Sequence, residues 1–396
     1  MAALDGIRVV DLSRVLAGPL CTQMLSDHGA DVIKIEPPAG DETRTFGPPF
    51  DAAGDAAYFA ALNRGKRAIS LDLANPEGRA VLDRLLDGVD VLVENFLPGT
   101  MEKWGIGYDT LAKRHPRLVY CAISGFGSDG PLGGLPGYDA VLQAMCGLMS
   151  VNGSEASGAT RVGIPIVDHL TGYVAMTGIL MALYARERTG TGQRVDATLF
   201  DTGLSLLVPH ASNWFYSGRA PRLLGSAHPN ICPYDKFKAG DGELFLGAAN
   251  DGQFRKLCEN IGRPDLCVDS RFRTNASRVE HRDALRTELE RAFAAYDVEA
   301  LCEKLMRVGV PAGPVHTLPQ ALAQPHAKHR RMVVDDGDYR GVGPAVRLSQ
   351  SQAQRARKPP RFNEHADQIL ADAGCASDQA AELRRTGAVR DRPARS

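Results

Sequence analysis

The sequence predicts an α/β fold built on a parallel sheet, and two observations carry that expectation. From Met1 to about Gly125, short β-branched runs alternate with helix-like segments, the signature of strands joined by crossover helices. Between two of those runs, Asn75-Pro76-Glu77 supplies a capping side chain, a proline at the first helical position and an acid in the first turn.

Taken in order, Ile7–Leu12, Val32–Glu36, Ala68–Leu71, Val91–Glu94 and Leu118–Ser124 read as strands, with helices at Pro19–His28, Pro76–Asp87 and Tyr108–His115. The stretch GFGSDGPLGGLPGYD, rich in glycine and proline, must be a loop. A helix from Asp139 to about Ser150 follows, then VGIPIVD and a long helix from about Leu170 to Arg188. The run TGTGQRVDATLFD gives a turn, a strand and another helix start. A second unit is expected from about Gly225 to Ala323. It holds a strand at Leu244–Gly247 and helices near Gly252–Ile261, Arg282–Ala295 and Val298–Val308. The tail from about Arg384 is charged and is expected to fray.

Composition narrows the functional classes. Apolar residues at 44% and charged residues at 23% describe an ordinary globular chain, and a net charge of −1 gives no global basic field for nucleic acid or an anionic membrane. Any polyanionic ligand must therefore be held by a local cluster of cations. The start MAALDGIRVVDL lacks the pattern of a signal peptide, so a cytoplasmic protein is expected. The most apolar stretch, Tyr173–Ala185, is expected to be a buried helix too short to span a bilayer. Eight cysteines (Cys21, Cys121, Cys146, Cys232, Cys258, Cys267, Cys302 and Cys375) form no CxxC and read as reduced thiols, neither disulfides nor zinc ligands.

No GxGxxG follows the first strand, and there is no Walker loop and no GxSxG elbow. In HAKHRR, His326 and His329 have no carboxylate or cysteine beside them, and read as a solvated turn. Five segments carry more. DLSRVLAGP is a strand–loop–helix junction that should leave free backbone amides near Arg14. DVIKIEPPAGDETRTFGPPF contributes Lys34 and Arg44, and NRGKRAISLDL contributes Arg64, Lys66 and Arg67. VENFLPG ends a strand at Asn95-Phe96, the carboxyl end at which open α/β sheets bind ligands. In VGIPIVDHLTGY, Asp168 closes an apolar run just before a long hydrophobic segment. A carboxylate there is either the cap of the next helix or a nucleophile held at its N-terminus.

Together these segments resemble the class III CoA-transferases, the CaiB/BaiF family. The likeness runs from GIRVVDLSRVLAGP through GADVIKIE, VLVENFLPG, GYDAVLQAMCGLM and VDHLTGYVAMTGIL to GSAHPNICPYDKFKAGDGELFLGAANDGQF. It implies a large Rossmann-like domain made from both chain ends (1–224 and 324–396), a smaller α+β domain inserted between them (225–323), and an interlocked homodimer. Asp168 falls on the family's catalytic aspartate. The implied chemistry is CoA transfer through an aspartyl mixed anhydride and an aspartyl-CoA thioester, with CoA as co-substrate and no metal or further cofactor. A helix N-terminus is expected to keep Asp168 ionised, and nearby amides to stabilise the oxyanions. Val15, Leu71, Asn95, Phe96, Thr100 and Lys103 match CoA-contacting positions, and Tyr138 would line the same pocket. Core packing is the alternative for Leu71 and Phe96.

Departures from related branches narrow the substrate. Related racemases carry GHD where this chain has Gly137-Tyr138-Asp139, and tyrosine is a poor acid/base group at neutral pH. Formyl-CoA:oxalate transferases carry glutamine at Leu16 and a run of glycines at GSAH, Gly225–His228. The chain looks more like the branch that moves CoA from succinyl-CoA to other dicarboxylates. Arg14 could then grip the distal carboxylate, a structural salt bridge being the alternative, and His228 could help. Racemase and oxalate transferase remain the alternatives.

Overall fold

Six parallel strands form the sheet of the first of two units. They are β1 (Arg8–Asp11), β2 (Asp31–Glu36), β3 (Arg67–Ser70), β4 (Val91–Glu94), β5 (Val119–Ser124) and β6 (Arg194–Thr198), in the spatial order β3-β2-β1-β4-β5-β6. Every pairing is parallel: Val10 lies beside Ile33 on one flank and Leu92 on the other. This is the doubly wound order, whose direction of growth reverses between β1 and β4 and leaves a crevice beyond their carboxyl ends. The computed structural model describes residues 1–353 and 357–393.

The helices that cover the sheet include α1 (Ala17–Asp27), α2 (Pro76–Leu85), α3 (Tyr108–Arg114), α4 (Asp139–Met145), α5 (Ile166–Thr189) and α6 (Leu199–Ser205). At α2 the Asn75 side chain accepts the Glu77 N–H, and Pro76 opens the helix, as read from the sequence. One face of the sheet closes over a core that includes Val10, Ile33, Ile69, Leu82 and Leu92, joined by Ile369 and Leu370 from the C-terminal segment.

α5 differs from expectation at its start and in its length. It begins at Ile166, four residues before Leu170, and runs for 24 residues, long and apolar enough by length and composition to cross a membrane. Its inner face, with Thr171, Gly172, Ala175, Ile179 and Ala182 buried, packs inside the first unit, and buried Arg186 pairs with Asp90 at 2.8 Å. Gly172 permits close approach to α1, because a Cβ there would stand 2.8 Å from the Ala17 carbonyl oxygen.

The units are Met1–Gly147, Gly163–Leu206 and the chain from Pro325 on, against Leu148–Val162 and Leu207–Gln324. This differs from the division read from the sequence at 148–162, at 207–224 and at Gln324. Both segments bond to the second unit: the Gly225 amide donates to Gly153, and the Asn213 and Asn230 side chains exchange hydrogen bonds. The second unit has its own sheet of β7 (Tyr234–Lys238), β8 (Glu243–Gly247) and β9 (Ala312–Pro314), all antiparallel, and its own core around Phe237, Leu257, Leu289 and Leu305.

The tail is not frayed at Arg384. That residue pairs with Asp367 and Asp391, and beyond it Ala388 and Val389 are buried where Val389 bridges Leu71. Residues 394–396 lie outside the described residues.

Candidate active site

A cleft of about 290 Å³ opens at the crevice between β1 and β4, lined wholly by the first unit. It brings together seven residues singled out from the sequence: Arg14, Val15 and Leu16 after β1, Asn95 and Phe96 after β4, Tyr138 before α4, and Asp168 in the first turn of α5.

The loop after β1 is held from below by buried charge. The Lys34 ammonium donates to the Ser13 carbonyl at 2.9 Å and to Asp41 at 2.8 Å, with both side chains fully buried. Asp11 accepts from Lys66, Ser13 and Thr22, and against the opposing effect of burial the charges of Lys66 and Lys34, with the Ser13 and Thr22 hydroxyls, hold its carboxyl down at about 2. Over this base Val15 adopts a left-handed conformation, φ +66°, a genuine outlier for a β-branched residue. Such strain persists only where the surroundings fix it.

The cations of the two basic segments are paired with acids of the same unit. Lys34 pairs with Asp41, Arg44 with Glu36 and Asp55, Arg64 with Asp27, Lys66 with Asp11, and Arg67 with Asp31 and Asp372. The clusters face acids within the scaffold, where each charge offsets a partner's desolvation.

The loop after β4 is fixed against the loop after β1. The Asn95 side chain accepts from the Arg14 amide and donates to the Arg14 carbonyl, both at 2.8 Å. Its amide group is thus engaged in holding the Arg14 backbone. The Glu94 carboxylate accepts from the Phe96 amide and the Tyr120 hydroxyl, while burial lifts its pKa to about 7. The Arg14 guanidinium lies over the Phe96 ring, 5.7 Å from its centroid, and its buried Nε has no partner among the described residues. No side chain caps α1 at Leu16, and the Leu16 and Ala17 amides have no acceptor among the described residues. The unengaged amides expected near Arg14 are therefore present, on two residues that line the cleft.

Asp168 is half-buried, and no donor reaches its carboxylate among the described residues. Its environment overturns the expectation of a carboxylate kept ionised by a helix start. Burial first, and the charge of Asp139 second, raise its pKa to about 7. The α5 amides near it are also engaged: Val167 and Asp168 donate to Asp139 Oδ1 at 2.8 and 3.1 Å, and His169 donates to the Pro165 carbonyl. The α5 start therefore offers neither a free dipole end nor oxyanion donors, and the unengaged amides lie on α1.

Four sequence-derived positions lie off the cleft lining. Leu71 is 1% exposed and sits in the core. Thr100 and Lys103 open and close a short helix, and Lys103 is exposed. His228 belongs to the second unit, where its Nδ1 accepts the Asn230 amide and burial lowers its pKa. The sequence reading missed Glu42, Leu97, Pro98 and Leu135 in the lining. It also missed Tyr58, whose phenol pKa is raised by burial and then by Asp168. It gave Asp139 no task, although GYD displayed it.

Comparison with known proteins follows this geometry. The family model described as CoA-transferase family III matches residues 4–366. A protein of Agrobacterium fabrum named succinate–glutarate CoA-transferase is 40% identical, over 93% of this chain and 95% of its own. One of Acetobacter aceti named acetyl-CoA:oxalate CoA-transferase is 41% identical, over 87% and 89%. The crystal structure of a CaiB/BaiF family protein from Brucella suis superposes with a TM-score of 0.85 at 42% identity, covering 94% of this chain and 99% of that one.

Proposed function

Because this chain belongs to CoA-transferase family III and is an enzyme of that class, we propose that it moves CoA from succinyl-CoA to a dicarboxylic acid by a covalent relay on Asp168. The observation that carries this reading is the Asp168 carboxylate, which has no hydrogen-bond donor among the described residues and lines an open cleft at the switch point of the sheet.

In the relay, a carboxylate oxygen of Asp168 attacks the thioester carbonyl. The CoA thiolate leaves, and an aspartyl–acyl anhydride remains. The thiolate then attacks the aspartyl carbonyl, which releases the donor acid as its carboxylate and leaves an aspartyl-CoA thioester. The acceptor carboxylate repeats the two steps in reverse and departs as its CoA ester, restoring Asp168. The open amides of Leu16 and Ala17 are suited to the tetrahedral oxyanions. The strained Val15 turn and the Asn95–Arg14 clasp keep the cleft wall fixed while CoA waits between steps.

Arg14 is the carboxylate clamp in this reading, supported by its Nε, which has no partner among the described residues. Lys103 meets a CoA phosphate as an exposed cation. Association into a homodimer is part of the proposal, supported by exposed apolar residues along α5, among them Tyr173, Met181 and Tyr184. Light scattering on the purified chain tests it, and a monomer at micromolar concentration removes it.

The decisive test incubates the enzyme with succinyl-CoA and traps the adduct with hydroxylamine. The label should map to Asp168, and Asp168→Ala should lose transfer by at least a thousandfold. A fully active Asp168→Ala enzyme would sink the relay. A donor and acceptor panel that includes acetyl-CoA, glutarate and oxalate fixes the substrate pair. Arg14→Ala should lose about tenfold or more in kcat/KM for dicarboxylates relative to monocarboxylates, the scale of a lost charged hydrogen bond. Unchanged preference removes the clamp.

A further inference from the structure

The GYD segment contains an acid that the relay leaves without a task. Asp139 opens α4 and is 7% exposed. Its Oδ1 accepts the amides of Val167 and Asp168, and its Oδ2 accepts from the Gln143 side chain at 2.6 Å. The α5 start needs such a partner, because its N-cap position is Pro165, which has no capping side chain. Asp139 thus caps a helix to which it does not belong, at the very residue whose side chain faces the cleft.

We infer that Asp139 is a positioning residue for the nucleophile: it fixes the backbone from which Asp168 projects and places a like charge beside the Asp168 carboxylate. The inference rests on the proposed role of Asp168. Two consequences follow from one side chain. The two amide bonds fix the first turn of α5, so the attacking oxygen approaches the thioester from a set direction. The like charge makes Asp168 a more basic and hence stronger nucleophile. It also stops the α5 dipole from stabilising Asp168 as a resting anion, since the amides that would do so are already spent. Among the described residues, Arg14, Glu42 and Tyr138 line the same cleft as Asp168, Tyr58 is near enough for Asp168 to raise its pKa, and the His169 ring on the same helix lies against the Pro165 carbonyl. Among these and Asp139, the carboxylate of Asp139 alone bonds the Asp168 amide.

The test separates the two contributions. Asp139→Asn keeps an acceptor oxygen for both amides and removes the charge, whereas Asp139→Ala removes both. With succinyl-CoA and glutarate, the acid limb of the kcat/KM profile of Asp139→Asn should move down by about one pH unit. The yield of trapped hydroxamate should follow the same curve. Asp139→Ala should lose about 100-fold in kcat with KM for succinyl-CoA unchanged, the cost of misplacing a reacting atom by about 1 Å. An acid limb that stays put in Asp139→Asn overturns the inference, and so does a kcat of Asp139→Ala within threefold of the parent. Should Asp139→Ala fail to fold, the Asp139→Asn profile decides alone. Asp168→Ala, run in parallel, keeps the two readings apart: its full activity would overturn the nucleophile itself, whereas normal trapping at Asp168 with an unmoved Asp139→Asn profile overturns only the role given to Asp139.

Discussion

Replacing Lys34 with methionine removes the cation that holds the loop after β1, and the structure sets the size of the effect. Lys34 and Asp41 are both fully buried and 2.8 Å apart, so solvent screens neither. Among the described residues, the variant leaves Asp41 with only the Thr43 amide and hydroxyl and the long contact from the Val15 amide, and leaves the Ser13 carbonyl without its ammonium. Breaking one side of such a pair costs about 3–5 kcal/mol. The pH dependence has a definite sign. In the parent, Lys34 holds the Asp41 carboxyl below its ordinary range, so this contribution is present above the unfolded pKa and is lost as pH falls through the folded value. In Lys34→Met, burial acts without that cation, the folded carboxyl titrates above its unfolded value, and stability returns as pH falls. Denaturant unfolding of parent, Lys34→Met and Lys34→Met/Asp41→Leu between pH 5 and 8 reads all of this. The single variant should be least stable at pH 8 and recover on acidification. The double variant should regain most of the loss, short of about 1 kcal/mol for the cap that Asp41 gives Thr43. A single variant within about 1 kcal/mol of the parent at every pH would refute the clamp.

Two further outcomes follow from the site. Asp168 titrates near 7 in the folded chain, above its ordinary 3.8, so ionising it weakens the fold as pH rises through 7. Asp168→Asn should therefore melt higher than the parent at pH 8 and equally at pH 4, and an equal melting temperature at both would contradict the raised pKa. Gly172→Val places a side chain against the Ala17 carbonyl, where even a Cβ would stand at 2.8 Å. It should cost about 1–3 kcal/mol of stability and, for each ~1 Å that α5 moves, about 100-fold in kcat; a variant with parental kcat would show that α5 has room to spare.

The scaffold was legible because its signals are local. Val91–Glu94 is read to the residue, and Asn75-Pro76-Glu77 starts α2 where its capping chemistry says it should. The α5 start was missed because Pro165 and Ile166 carry no cap of their own; the cap is Asp139, twenty-nine positions before Asp168 and on another helix. The pairing of the basic segments was not legible for a similar reason. Lys34 and Lys66 look like surface charge until the fold brings Asp41 and Asp11 against them. The cleft residues after β1 and β4 stood out early, since strand carboxyl ends are where a parallel sheet must bind. The long-range partners of Asp168 could not, because sequence spacing says nothing about which acid lands beside which amide.

The inward-facing cations have a bearing on how the chain meets changing ionic conditions. A Debye length of about 8 Å at physiological strength weakens interactions between solvated charges and scarcely reaches pairs shut away from solvent. Lys34–Asp41 and Lys66–Asp11 are shut away in that sense, whereas Lys103 stands in water. Rising ionic strength would thus weaken the proposed contact of Lys103 with a CoA phosphate long before it disturbed the platform beneath. Titrating potassium chloride should raise KM for the thioester while the melting temperature stays level.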